Sequence, residues 1–148
     1  MCGICGEIRF DGERPDKERI HRMMERLARR GPDSEGCYIN GNVGMGHRRL
    51  AIIDLSDKAG QPMIDKQHGL SLVFIGSIYH YPELRETLIA KGLTFVSTGA
   101  TEVILKAYAE WGIECLQRLQ GMFAFAIRDE KNGRLIRARD RVGIKPLY

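Results

Sequence analysis

The chain has 148 residues, 43% hydrophobic and 28% charged, a balance that suits one globular domain burying most of its apolar side chains. Its 23 basic and 19 acidic residues leave a formal charge of +4, and the basic positions lie beside acids rather than in a run, which argues against a nucleic-acid partner. No apolar stretch approaches the ~18 residues that span a membrane and no charged-then-apolar leader opens the chain, so the sequence reads as cytoplasmic with no membrane contact.

Residues 3–10 place Ile4, Ile8 and Phe10 at period two, which predicts a strand beginning at the terminus. Asp16 then caps a helix whose apolar positions Ile20, Met23, Met24 and Leu27 recur at three and four, ending near "RRGPDSEG". In "CYINGNVGMGHRRLAIID", Asn40-Gly41 separates two strand-like runs and predicts a hairpin. "LSDKAGQP" reads as a loop, and "LSLVFIGSIY" as a strand with Gly76 near its end. "YPELRETLIAKG" is a helix bounded by Pro82 in its first turn and Gly92 after its last, and "TEVILKAYAEWG" is another, with Val103, Ile104 and Tyr108 facing inward. Two strands around Lys131-Asn132-Gly133 follow, and there are no repeats or low-complexity segments. Strands and helices come in blocks rather than strict alternation, which disfavours a doubly wound parallel sheet and predicts an α+β layered sandwich.

Cys2, Cys5, Cys37 and Cys115 carry no mark of secretion, so no disulfide framework is expected. A zinc site would need a second CxxC or a spaced histidine pair, and His21, His47, His68 and His80 are scattered; no metal is expected. A redox CxxC belongs after a strand inside a fold, whereas this one starts at the second residue, and Cys5 reads as a small buried strand residue. Cys2 has another chemistry. As a small residue it permits removal of Met1, after which thiol and α-amine share one residue. An α-amine with a reference pKa near 7.7–8.0 is partly neutral at neutral pH and can serve as the thiol's own base.

The segments "MCGICGEI", "RGPDSEG", "GHRRLAIIDLS", "QPM", "SIYHYPELR", "TEVILKAY", "GMFAFAIRD" and "ARDRVGIKPLY" resemble, in order and spacing, the class II glutamine amidotransferase domain of the asparagine synthetase family, with the N-acetylglutaminylglutamine synthetase branch nearest. The resemblance covers nearly the whole chain. It implies a four-layer αββα N-terminal-nucleophile hydrolase sandwich of two antiparallel sheets. It also implies that Cys2 attacks the side-chain amide of L-glutamine to form a glutamyl thioester and release ammonia. Arg49 matches the arginine that grips the substrate α-carboxylate, a pairing suited to a guanidinium fork. The backbone at Ile52 and Ile53 lines the same pocket with Ser77, and the Gly76 N–H matches one oxyanion donor.

Four positions depart from the family pattern. Ile75 stands where the family has an asparagine that donates to the oxyanion, Ser77 replaces a glutamate, and His80 replaces an asparagine as a packing change. Ala100 stands where an aspartate meets the substrate α-ammonium. A glutaminase with impaired turnover is therefore expected, with a non-catalytic interaction or regulatory module of the same fold as the alternative. Residues 1–148 are expected to be a type 2 glutamine amidotransferase domain truncated at its C-terminus. The glutaminase itself is expected to need no cofactor. ATP and magnesium belong to a synthetase domain that normally follows and is absent here, and the resemblance admits a homodimer.

Overall fold

Strand β1 (Gly3–Ile8) opens the computed structural model, which describes residues 1–52 and 54–148. It pairs antiparallel with β3 (Val43–Arg49), and β3 pairs with β2 (Ser34–Asn40), giving the order β1-β3-β2. Alternation along β3 sends Val43, Met45, His47 and Arg49 to one face and Gly44, Gly46 and Arg48 to the other. Helix α1 (Lys17–Arg26), capped by the Asp16 carboxylate on the Glu18 N–H at 2.9 Å, lies over the glycine face. A Cβ at position 44 would sit 2.3 Å from Ile20 Cδ1, and one at position 46 would sit 2.8 Å from the Met24 sulfur. The two glycines let the helix approach.

The second sheet runs β4 (Met63–Asp65), β5 (Leu70–Ile78), β6 (Gly121–Asp129) and β7 (Arg134–Arg139), all antiparallel and adjacent in that order. Helices α2 (Tyr81–Ala90) and α3 (Ala100–Trp111) cover its outer face. The main core lies there: Leu72, Phe74, Ile78, Phe123, Phe125 and Ile127 pack against Leu84, Leu88, Val103, Ile104 and Ala107. Each fully buried Leu, Ile or Phe contributes about 1.5–3 kcal/mol relative to exposure. Between the sheets, Val43, Met45 and Val73 pack with Ile4, Ile8, Ala126 and Leu135 beside a cavity of about 620 Å³. The layers are helix, sheet, sheet, helix, as the resemblance implies. Among the described residues no helix is long and apolar enough to cross a membrane.

Local differences have local causes. Phe10 is 88% exposed rather than aligned with Ile4 and Ile8. The ladder closes at Arg9, whose N–H meets the Asn42 carbonyl at 2.9 Å and whose carbonyl accepts from the Asn42 amide at 2.8 Å, after which the chain turns away. The β2–β3 turn is Gly41-Asn42, one residue later than expected, with Gly41 at φ +55°. Strand β4 falls between the expected loop and the expected strand, in a stretch for which no element is expected, and the Lys106 ammonium on Asp65 at 2.7 Å ties it to α3. A one-turn helix α4 (Cys115–Arg118) was equally unforeseen.

Candidate active site

Cys2 lies one residue before β1, whose first pair across to β3 is Gly3–Arg48. The Cys2 sulfur accepts from the Leu50 N–H at 3.2 Å and lies 3.5 Å from the Leu50 carbonyl oxygen, so the thiol caps the end of this sheet. Cys5, an odd number of residues further on, faces α1 instead, with its sulfur 4.0 Å from the Ile20 carbonyl. Burial, reinforced by neighbouring Cys37, pushes the Cys5 thiol up to about 11, which keeps it protonated and unreactive at neutral pH. All four cysteines are free.

The "RRGPD" turn docks on the end of β3. A Cβ at Gly31 would lie 2.3 Å from the Arg48 carbonyl carbon, so only glycine permits this approach. Arg48 Nε donates to the Gly31 carbonyl at 3.1 Å, the Asp33 N–H to the Arg49 carbonyl at 3.0 Å, and the Ala51 N–H to the Asp33 carboxylate at 2.8 Å. The same turn carries Arg30 to Cys2, where its Nε donates to the Cys2 carbonyl at 3.3 Å.

Arg49 is 8% exposed, and its guanidinium clamps the loop that follows, donating to the Ser56 carbonyl at 3.0 Å and to the Asp54 carbonyl. A guanidinium carries five N–H donors, so this clamp leaves capacity for a carboxylate. Asp54 links that loop to the start of α3. Its carboxylate accepts from the Thr98 N–H and hydroxyl, both at 2.9 Å, and from the Ser56 N–H and hydroxyl at 2.9 and 2.6 Å. The Ser56 hydroxyl and then the Thr98 N–H hold Asp54 well below the usual carboxylate range. Ala100 is the first residue of α3 and follows by two residues Thr98, on which the Asp54 carboxylate rests. Ile52 is 73% exposed beside Arg49's loop, and Ile53 lies outside the described residues.

On β5, Ile75 is 4% exposed and lines the intersheet cavity with Val73 and Ala126, and Ser77 follows on the same face by alternation. Gly76 adopts φ +129°, and a Cβ there would lie 2.0 Å from the Met122 carbonyl oxygen on β6. The strand pairing thus demands a glycine at position 76 independently of any reaction. Gln61, in "QPM", ties this strand to α3 by accepting from the Phe74 N–H at 2.6 Å and donating to the Thr101 hydroxyl at 3.3 Å. His80 packs as expected, its Nε2 lying 2.9 Å from the Arg118 carbonyl.

His47, two residues before Arg49 on the same face, is 1% exposed, and neither ring nitrogen has a partner among the described residues. Burial, opposed in part by the Phe74 backbone and reinforced by the Arg49 charge, pushes its pKa down to about 4. The unfolded imidazole takes a proton below about 6.5, so between those values the unfolded chain binds more protons than the folded one. This contribution is complete above about pH 6.5 and is lost as pH falls towards 4, a total of about 3 kcal/mol. Urea unfolding of the chain and of His47→Phe should show this: the wild-type chain loses stability over that window, and the variant loses correspondingly less. Equal pH slopes would refute the assignment.

The resemblance pointed to Cys2, Arg49 and Gly76, but gave no sign of the roles of Arg30, Asp54, Gln61 and His47, which depend on contacts across strands and loops.

Residues 1–148 match the family described as "Glutamine amidotransferase domain". The chain is 42% identical over 151 residues to glutamine-hydrolyzing asparagine synthetase 1 of Bacillus subtilis, covering 100% of this chain and 24% of that protein. It is 36% identical over 149 residues to glutamine-hydrolyzing asparagine synthetase 3 of Arabidopsis thaliana, covering 100% and 25%. The chain therefore spans about a quarter of the length of these curated relatives. Among solved structures it is similar to the glutamine phosphoribosylpyrophosphate amidotransferase of B. subtilis, with a TM-score of 0.56 and 25% identity over 69% of this chain and 24% of that one. With two antiparallel sheets between helical layers and its whole length matched, the chain belongs to the class II glutamine amidotransferase domain family, as found in asparagine synthetases.

Proposed function

We propose that this domain hydrolyses L-glutamine through Cys2 to supply ammonia for ATP-dependent amide formation. With Met1 removed, the Cys2 α-amine takes the thiol proton as sulfur attacks the amide carbonyl carbon. The developing oxyanion is met by the Gly76 N–H, and the proton passes to the leaving nitrogen, which departs as ammonia. Water then cleaves the glutamyl thioester to glutamate and restores the thiol. Arg49 holds the substrate α-carboxylate with the donors its loop clamp leaves over, and Ser77 and the backbone at Ile52 and Ile53 border the substrate. This chemistry needs no metal or cofactor. ATP and magnesium would serve a synthetase domain following residue 148 in the full protein, which we place in the cytoplasm as a homodimer. The single observation that carries the reading is the placement of Cys2 at the sheet end, where its sulfur accepts from the N–H of Leu50, the residue after Arg49.

A second reading, a domain that keeps the fold for interaction alone, is favoured by the burial of Ile75 among apolar side chains where the family donates to the oxyanion. Ammonia release from L-glutamine, measured on a chain beginning at Cys2, separates the two. Slow turnover that disappears in Cys2→Ala supports the glutaminase, and turnover no different from Cys2→Ala supports the second reading.

A further inference from the structure

Lys145 is 6% exposed, yet among the described residues no carboxylate lies within ion-pair range of it. Its ammonium points at the other end of the chain and lies 3.1 Å from the Met1 sulfur. A thioether is a weak acceptor, and a buried ammonium without a counter-charge is unfavourable, so this placement calls for an explanation beyond packing. The backbone that carries it is fixed. The Asp140 carboxylate accepts from the Lys145 N–H at 3.0 Å, the Ile144 N–H at 2.8 Å and the Phe123 N–H of β6 at 3.1 Å. Arg30 meets the same Met1 sulfur, with Nη2 at 3.4 Å, and its Nε donates to the Cys2 carbonyl.

We propose that Lys145, assisted by Arg30, is a positioning residue for the nucleophile: two cations converge on the Met1 side chain, Arg30 also reaching the Cys2 carbonyl, so that the amine created by removal of Met1 stays unprotonated. A neighbouring like charge disfavours the protonated form of an amine, and only the free amine can accept the thiol proton. Glu35 pairs with Arg48 and Glu7 pairs with Arg19, which offsets both charges; Asp33 and Asp140 keep their charge but are turned to backbone N–H groups. The inference rests on the reading of Cys2 as an amine-assisted nucleophile.

The test reads the amine itself, so its outcome is separate from glutaminase activity. Chains beginning at residue 2 are released from a cleavable fusion partner, with Cys2→Ala so that formaldehyde reacts at nitrogen alone. Reductive methylation with ¹³C-formaldehyde then gives the N-terminal dimethylamine a resolved NMR signal that is followed against pH. Its midpoint should rise by roughly half to one pH unit in Lys145→Met relative to the Lys145 chain and stay in place in Lys145→Arg. Arg30→Gln should raise it in the same direction, and it serves as the second variant if Lys145→Met does not fold by circular dichroism. One midpoint shared by every folded variant would overturn the proposal. A shifted midpoint, with no ammonia released from glutamine by the corresponding chain that keeps Cys2, would leave it standing and sink the glutaminase reading instead.

Discussion

Restoring the two family side chains together, Ile75→Asn with Ala100→Asp, should raise kcat/KM for glutamine by about 10³–10⁵ over the chain as it stands. The asparagine supplies a second oxyanion donor, worth about 2.7–4 kcal/mol in comparable sites, and this gain should appear in kcat. The aspartate gives the substrate ammonium a charged partner worth about 1.5–3 kcal/mol, and because the ammonium is present before and during reaction this part should appear in KM. The structure adds a counterweight at each position. Ile75 is 4% exposed on the intersheet cavity, so exchanging it for a shorter polar side chain should lower stability by about 2–4 kcal/mol. At the first position of α3 an aspartate suits the helix dipole, but it also lies close to the ionised Asp54. Ammonia release at 25 °C, with thermal melts beside it, separates a chemical gain from a loss of fold. Turnover in the unaltered chain equal to that of the double variant would show that other groups do the work assigned to the asparagine and the aspartate.

Gly76→Ala is the second large effect, and it falls on stability before it reaches chemistry. The backbone at φ +129° is unfavourable for any side chain, and the new Cβ would lie 2.0 Å from the Met122 carbonyl oxygen, an overlap relieved only by moving β5 away from β6. Together these should cost about 3–5 kcal/mol, or roughly 10–20 °C in Tm. Gly12→Ala is the control: φ is +85° with nothing within 4 Å of the new Cβ, so only the backbone preference remains, about 1 kcal/mol. Similar losses in both would mean that the close approach of Met122 does not constrain position 76. A large loss at Gly76 also means that this substitution cannot measure the oxyanion role of its N–H; activity comparisons must use Ile75.

The sequence disclosed what local chemistry determines. Asp16 caps α1 because a short carboxylate before an apolar periodic run has one favourable use, and β1, β5 and β6 follow alternation that their buried faces enforce. The layer order followed from the resemblance, since blocks of strands and helices alone fit several sandwiches. Phe10, the one-residue offset of the Gly41-Asn42 turn and the short β4 were not legible, because Asn42, Asp65 and Lys106 settle them through contacts between distant segments. The site divides in the same way. Cys2 is marked by its place in the chain and Arg49 by its motif, whereas Lys145 meets Met1 from 144 residues away and Asp54 reaches α3 across 44. Gly76 was legible as a glycine with a purpose, but the purpose visible in the fold is the approach of β6.

The most direct measurement is intact-mass analysis of the Ile75→Asn/Ala100→Asp chain after incubation with 6-diazo-5-oxo-L-norleucine, a glutamine analogue that alkylates a nucleophile at the amide position, prepared with Met1 retained and with Met1 removed. If Cys2 is an amine-assisted nucleophile in a glutamine pocket, the processed chain gains one adduct, peptide mapping places it on Cys2, excess L-glutamine slows it, and the Met1-retaining chain stays unlabelled. Equal labelling with and without Met1, or an adduct on Cys5 in place of Cys2, would contradict that assignment.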